Sequence, residues 1–152
     1  MSESDSHRIH RLTPADHSMM NEMLTLFGNA FEDADHYCSN RPGEEYTTRL
    51  LGNDHFIALA ALKYGAVVGG LAAYELPKFE QERSEIYIYD LAVDAGHRRE
   101  GVATALIGAL KPIARSRKAH VIYVQADKGD EPAIALYTGL GVREDVLHFD
   151  IV

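Results

Sequence analysis

Two stretches of the chain combine residues able to move protons with residues able to hold an anion. In the first, Ser84 to Thr104, an apolar alternating run carries Asp90 among aliphatic neighbours and leads into Arg98-Arg99-Glu100-Gly101-Val102-Ala103-Thr104. A carboxylate inside such a run breaks the pattern that burial dictates, and such breaks gather at functional or strained positions. A helix-capping or salt-bridged structural role for Asp90 is the alternative. Period-2 alternation puts Ile86, Ile88 and Ala92 on one face and Tyr87, Tyr89, Leu91 and Val93 on the other. Beyond the run, Gly101 and Ala103 are small enough to bring backbone N–H groups at a helix N-terminus close to a ligand. Such a helix end attracts anions, and a pyrophosphate suits it. The second stretch, Asp130 to Val142, places Tyr137 on a short helix opened by Asp130 as cap with Pro132 in the first turn.

The elements that must position these residues follow from periodicity and punctuation. His7 to Leu12 alternates as a strand, and Thr13-Pro14 reads as a helix start whose Met19, Met20, Met23, Leu24, Phe27 and Phe31 form a core stripe that Gly28 interrupts. Glu32-Asp33-Ala34-Asp35 and Glu44-Glu45 flank an irregular region, read either as solvated surface or as an acidic substrate lip. A short helix then runs through Thr47 to Leu51. Phe56 to Leu62 and Ala66 to Leu76 form an antiparallel hairpin through Lys63-Tyr64-Gly65, with Gly69-Gly70 marking a bulge or a close approach. Val102 to Ser116 has a strong helical face, which Pro112 kinks or ends early. Arg115, Arg117 and Lys118 crowd its C-terminal end, complementing the helix dipole or neutralising a further phosphate. Ala119 to Ala126 reads as a buried strand with Asp127 at its carboxyl end, and Asp145 to Val152 as a final strand. The order β-α-α-β-β-β-α-β-α-β describes an α/β protein, a mixed sheet with helices on both faces.

Composition narrows the classes. The 152 residues fit one domain, 7–152, after a polar tail over residues 1–6, and 46% hydrophobic with 25% charged residues is ordinary for a soluble protein. One cysteine, Cys38, allows no internal disulfide and suits a reducing cytoplasm. No apolar run approaches the roughly 20 residues that cross a bilayer. The net charge of -8 repels nucleic acid and anionic membranes but attracts cationic substrates. The eight histidines are scattered without ligand spacing, so no metal is expected.

Arg98, Gly101 and Ala103, following a strand and opening a helix, resemble the acyl-coenzyme A loop of the GNAT superfamily of N-acyltransferases. Asp130 to Val142 resembles its second signature, N-x-x-A-x-x-L-Y-x-x-x-G-F, with Asp130 in place of Asn and Val142 in place of Phe. The resemblance implies acetyl-coenzyme A as cofactor, its pyrophosphate on the loop Arg98, Arg99, Glu100, Gly101, Val102, Ala103 and Thr104. It implies a pantetheine arm paired with Leu91, Ala92 and Val93, and Tyr137 near the sulfur as proton donor. An acceptor amine with a lysine-like pKa of about 10.4 is neutral near pH 7 only about one part in a thousand, so a carboxylate must take its proton. Asp90 is the first candidate, with Glu85 and Asp127 as rivals. A strand-end backbone N–H near Leu91 or Ala92 would stabilise negative charge developing on oxygen. From about Leu26 onward, above all in Phe79-Glu80-Gln81, Ser84 to Val93, Val121 to Asp127 and Leu147 to Ile151, the chain also resembles type I aminoglycoside 3-N-acetyltransferases. That implies acetylation of the 3-amino group of a 2-deoxystreptamine ring in gentamicin-type antibiotics, hence resistance. It further implies ammonium contacts from Asp33, Asp35, Glu85, Asp127 and Asp150, and a homodimer. A polyamine or protein-amine acetyltransferase, or a non-catalytic coenzyme A sensor, is the competing expectation.

Overall fold

The computed structural model describes residues 7–152, so the tail expected over 1–6 lies outside it. Its strands are β1 (Arg8–Arg11), β2 (Phe56–Lys63), β3 (Ala66–Pro77), β4 (Ser84–Val93) and β5 (Ala119–Val124); its helices are α1 (His17–Ala30), α2 (Ala34–Cys38), α3 (Glu44–Leu51), α4 (Val102–Ser116) and α5 (Glu131–Leu140). The five strands form one sheet in chain order. β1 to β4 are antiparallel neighbours, and α4 carries the chain over to β5, which runs parallel to β4. The result is the mixed sheet expected, with helices on both faces.

Each face has its own core. Val102, Leu106 and Leu110 of α4 pack on Ile57, Leu59, Leu71, Ile86 and Ile88, while Met23, Leu26 and Phe27 of α1 pack on Phe56, Ala58, Ala60 and Leu62. The pair Gly69-Gly70 lies between these layers. A Cβ on Gly69 would come 2.6 Å from Val102 Cγ1, and one on Gly70 would come 3.1 Å from Met23 Cε. The two glycines therefore admit side chains from α4 and α1 to opposite faces of β3. The β2–β3 turn places Tyr64 at φ 53 and Gly65 at φ 78, the left-handed pair of a tight hairpin.

Several local expectations need correction. α1 starts at His17 rather than at Pro14, because Asp16 Oδ2 accepts from the Thr13 N–H at 2.7 Å and lies 3.0 Å from His10 Nε2, closing a turn ahead of the helix. Gly28 does not interrupt α1; it makes room for Cys38, whose Sγ would lie 2.9 Å from a Cβ there. The acidic segment around Asp35 is helical, with the Asp33 side chain capping α2. α4 runs through Pro112 to Ser116, since Pro112 and the Gly108 carbonyl four residues earlier lie on the solvent side, where water can replace the lost bond. The expected last strand is absent from the sheet: residues 142–152 form no ladder, and Phe149 and Ile151 are 76% and 97% exposed.

One register feature governs the site. Ala72 pairs with Asp90 but Ala73 pairs with Ile88, so Tyr89 is an extra residue in β4. This bulge inverts the alternation after it. Ile86 and Ile88, then Leu91 and Val93, face α4, whereas Ala92 packs with the α1 layer. Reading a continuous strand had put Ala92 with Ile86 and Ile88 and had put Leu91 and Val93 with Tyr87. The inserted residue reverses both assignments.

Candidate active site

Because of the bulge, Asp90 faces the α1–α2 side of the sheet, where Tyr37 of α2 donates its hydroxyl to Asp90 Oδ2 at 3.0 Å. Asp90 is half-buried, and that burial raises its pKa above the ordinary carboxylate value; the Tyr37 hydrogen bond, then the nearby His36, pull the other way. A carboxylate held in this balance can accept a proton more readily than one in water.

Beyond Ile88 paired with Val124, β4 and β5 share no further rungs, so the last residues of β4 are paired only with β3, through Leu71, Gly70 and Gly69. The β5-facing edge of Leu91, Ala92 and Val93 is thereby open to an extended, amide-bearing ligand. Directly after β4, a 3-10 turn over Ala95–His97 is capped by the Asp94 side chain, which accepts from the Gly96 N–H at 3.1 Å. Arg99 at φ 65 and Gly101 at φ 79 then swing the backbone into α4. No side chain caps α4, and its first bond runs from the Ala105 N–H to the Gly101 carbonyl at 3.0 Å. The amides of Val102, Ala103 and Thr104 thus have no intrahelical acceptor, and a Cβ on Gly101 would meet nothing within 4 Å. An uncapped helix start beside two arginines and open space fits a pyrophosphate. Glu100 is the loop's one anion; Lys63 Nζ lies 3.5 Å and His97 Nδ1 3.2 Å from its carboxylate.

Tyr137 approaches from the other side. It packs against the α4-side core, half-buried, and burial, followed by the charge of Asp130, raises its pKa. Its phenol stays protonated across the neutral range and can serve as a donor. Asp130 caps α5 by accepting from the Ala133 N–H at 3.3 Å. No hydrogen bond joins Asp90 to Tyr137; Asp90 lies on the α1–α2 face of the sheet and Tyr137 packs against the α4-side core.

The remaining carboxylates are dispersed. Asp33 caps exposed α2 and Asp35 lies in its first turn, both near Tyr37, and Asp127 is exposed beyond β5. Glu85 is engaged by Lys78 Nζ and His120 Nε2, each at 3.6 Å. Asp150 lies on the unpaired C-terminal segment, bonded to His148 Nε2 at 2.9 Å, and joins no acidic cluster among the described residues. Arg117 pairs with Glu75 at 2.7 Å at the far end of α4, away from the helix start, so it is committed to the fold rather than to a phosphate. Sequence reasoning missed Tyr37 and a tyrosine platform. Tyr74 meets Tyr89 edge-on at 5.7 Å, Tyr89 adjoins Tyr87 at 5.8 Å, and Tyr87 stacks on Tyr123 at 4.7 Å, across three strands on the Asp90 face. Its sequence signal was tyrosine at outward strand positions where threonine or a charge would serve solubility alone.

An anion cradle, an open strand edge and groups able to accept and to donate a proton on opposite faces of the sheet are the parts that acyl transfer needs. Residues 17–142 match the model of the acetyltransferase (GNAT) family. The chain belongs to that family. GNAT enzymes take their acetyl group from acetyl-coenzyme A, and the features of the cradle fit it. Among solved structures, this GNAT chain is similar to an aminoglycoside acetyltransferase from an uncultured soil metagenomic sample, with 61% identity, 97% of this chain and 98% of that chain covered, and a TM-score of 0.95. It is also similar to a second such enzyme from an uncultured soil metagenomic sample, solved in complex with sisomicin, at 31% identity, coverages of 96% and 95%, and a TM-score of 0.88. A curated relative, N-acetyltransferase family 8 member 2 of Rattus norvegicus, is 28% identical over 67% of this chain; the match spans 45% of that protein.

Proposed function

We propose that this GNAT chain is an aminoglycoside 3-N-acetyltransferase, acetylating the 3-amino group of the 2-deoxystreptamine ring of gentamicin-type antibiotics and so conferring resistance. The observation that carries the substrate class is the 61% identity over nearly all of both chains to an aminoglycoside acetyltransferase. The site is consistent with it. A tyrosine platform offers flat faces to sugar rings and ammonium groups, and a net charge of -8 favours a polycation.

Acetyl-coenzyme A, when bound, supplies an acetyl group activated as a thioester. The amides of Val102, Ala103 and Thr104, with Arg98 and Arg99, hold the pyrophosphate, and the free edge of Leu91, Ala92 and Val93 aligns the pantetheine arm. Asp90 takes the proton from the acceptor ammonium, directly or through a water. Tyr137 keeps a proton ready for the departing sulfur. Asp33, Asp35 and Asp127 receive the other ammonium groups; Glu85 does so only by exchanging its Lys78 and His120 partners, and Asp150 only if a second copy brings it to the site. The enzyme is then a cytoplasmic homodimer.

Thiol release from acetyl-coenzyme A is the test, with gentamicin, kanamycin, spermidine and a lysine-bearing peptide as acceptors and NMR of the product to locate the acetyl group. Release with gentamicin and acetylation at the 3-amino group support the reading. Acetylation at another amino group overturns the regiochemistry, and turnover with spermidine or peptide alone overturns the substrate class.

A further inference from the structure

The hydrogen bond from Tyr37 to Asp90 spans 53 residues of sequence and joins a five-residue helix to the bulge of the central strand. Nothing in the packing demands a hydroxyl there. The Tyr37 ring is held independently, 5.9 Å from Phe27, 5.6 Å from Phe31 and edge-on to His36 at 4.9 Å. A phenylalanine would keep those contacts. The hydroxyl instead fixes one oxygen of the carboxylate and leaves the other to act.

We propose that Tyr37 is the positioning residue of the acetyl transfer, orienting Asp90 and setting the pH range in which Asp90 is an ionised, competent base. This rests on the reading of Asp90 as base. Donation to a carboxylate favours its charged form, whereas burial disfavours it, so the hydroxyl offsets part of the cost that the bulge imposes on Asp90. The groups around the pair are few. α2 contributes His36, and Asp33 acts on Tyr37 itself; β3 contributes Tyr74; β4 contributes Tyr87 and Tyr89. Burial, with the adjacent Asp90 charge second, drives the Tyr37 phenol far above its ordinary value, so it remains a donor wherever Asp90 is ionised. His36 is the one neighbouring group whose charge favours ionised Asp90. The Tyr37 effect must therefore be read against a His36→Gln background as well.

The experiment is the pH profile of kcat/KM for aminoglycoside acetylation in wild type, Tyr37→Phe, Asp90→Asn and the double variant, with the wild-type and Tyr37→Phe profiles repeated in His36→Gln. In Tyr37→Phe the acidic limb moves to higher pH, with a loss of about tenfold on that limb and far less on the alkaline plateau, and KM for acetyl-coenzyme A is unchanged. The shift persists in His36→Gln. In Asp90→Asn, adding Tyr37→Phe costs nothing further. A uniform loss at every pH with the limb unmoved, or a further loss in the Asp90→Asn background, overturns the proposal and leaves Tyr37 a packing residue. Wild-type turnover in Asp90→Asn instead overturns the base reading itself, a result distinct from an unmoved limb.

Discussion

Asp90 combines two demands that oppose each other. Its ionised form is what the proposed reaction uses, and burial raises its folded-state pKa above the unfolded value. The stability it contributes is therefore fully present below the unfolded pKa and is lost as pH rises through the folded one, so at neutral pH the carboxylate weighs against the fold. Asp90→Asn should accordingly lower kcat by about a hundred- to ten-thousandfold while raising the melting temperature at pH 7.5, the Tyr37 hydroxyl still finding an amide oxygen to bond. Turnover assays and thermal melts on one preparation check both halves, and a melting temperature that falls would show that burial does not dominate at this residue. Tyr137 carries the complementary prediction. Its phenol is raised by burial and so remains protonated, and Tyr137→Phe should cost about a hundredfold in kcat with KM for acetyl-coenzyme A little changed, measured under saturating acceptor. Asp90 was legible in the sequence because a carboxylate interrupts an aliphatic run. Tyr37 was not, because what distinguishes it is a partner 53 residues away and no local pattern encodes that distance.

The elements around the cradle depend on two glycines for different reasons. Gly69 lacks a side chain because Val102, the first residue of α4, occupies that space; Gly101 is a glycine because its φ of 79 suits few other residues, in open surroundings. Gly69→Ala should push the start of α4 off the sheet, costing about 1–3 kcal/mol and raising KM for acetyl-coenzyme A, because the displaced amides are the ones proposed to hold the pyrophosphate. Gly101→Ala should cost about 1 kcal/mol from backbone conformation alone. Chemical denaturation with acetyl-coenzyme A titrations on both variants separates the cases, since equal stability losses would mean that the sheet accommodates a methyl at Gly69. The alternation of β2 to β4, the turn at Tyr64-Gly65 and the α4 stripe were all readable, because burial on a regular lattice leaves a period. The bulge at Tyr89 was not. An extra residue in a strand of alternating tyrosine and isoleucine looks like one more step of the alternation, and only the ladder with β3 shows that the step is doubled. The same limit hid the helical character of α2, five residues with no buried side chain to mark a face.

At the scale of the whole molecule, the sheet ends at β5, which has no second neighbour among the described residues, while the chain's own last apolar segment is left out of it. Residues 142–152 hold Leu147 at 77%, Phe149 at 76% and Ile151 at 97% exposure, alternating with polar His148 and Asp150. The side-chain bonds Arg143 to Asp145 and His148 to Asp150 link residues two apart, the spacing that shares a face in an extended chain. An alternating apolar segment and the free β5 edge of the sheet, each without a ladder partner among the described residues, would complement each other across a two-fold axis. The 61% identical soil acetyltransferase covers 97% of the chain, which leaves too few uncovered residues to omit the whole segment. The proposed homodimer then has each last segment pairing with the partner's β5, and Asp150 reaches an active site only from the opposite copy. Wild type should sediment as a dimer at micromolar concentration. Phe149→Lys should sediment as a monomer, with KM for the aminoglycoside raised severalfold and KM for acetyl-coenzyme A unchanged, because the cradle lies wholly within one chain. A fully active wild-type monomer would return Asp150 to the solvent and leave the acidic contacts to Asp33, Asp35 and Asp127.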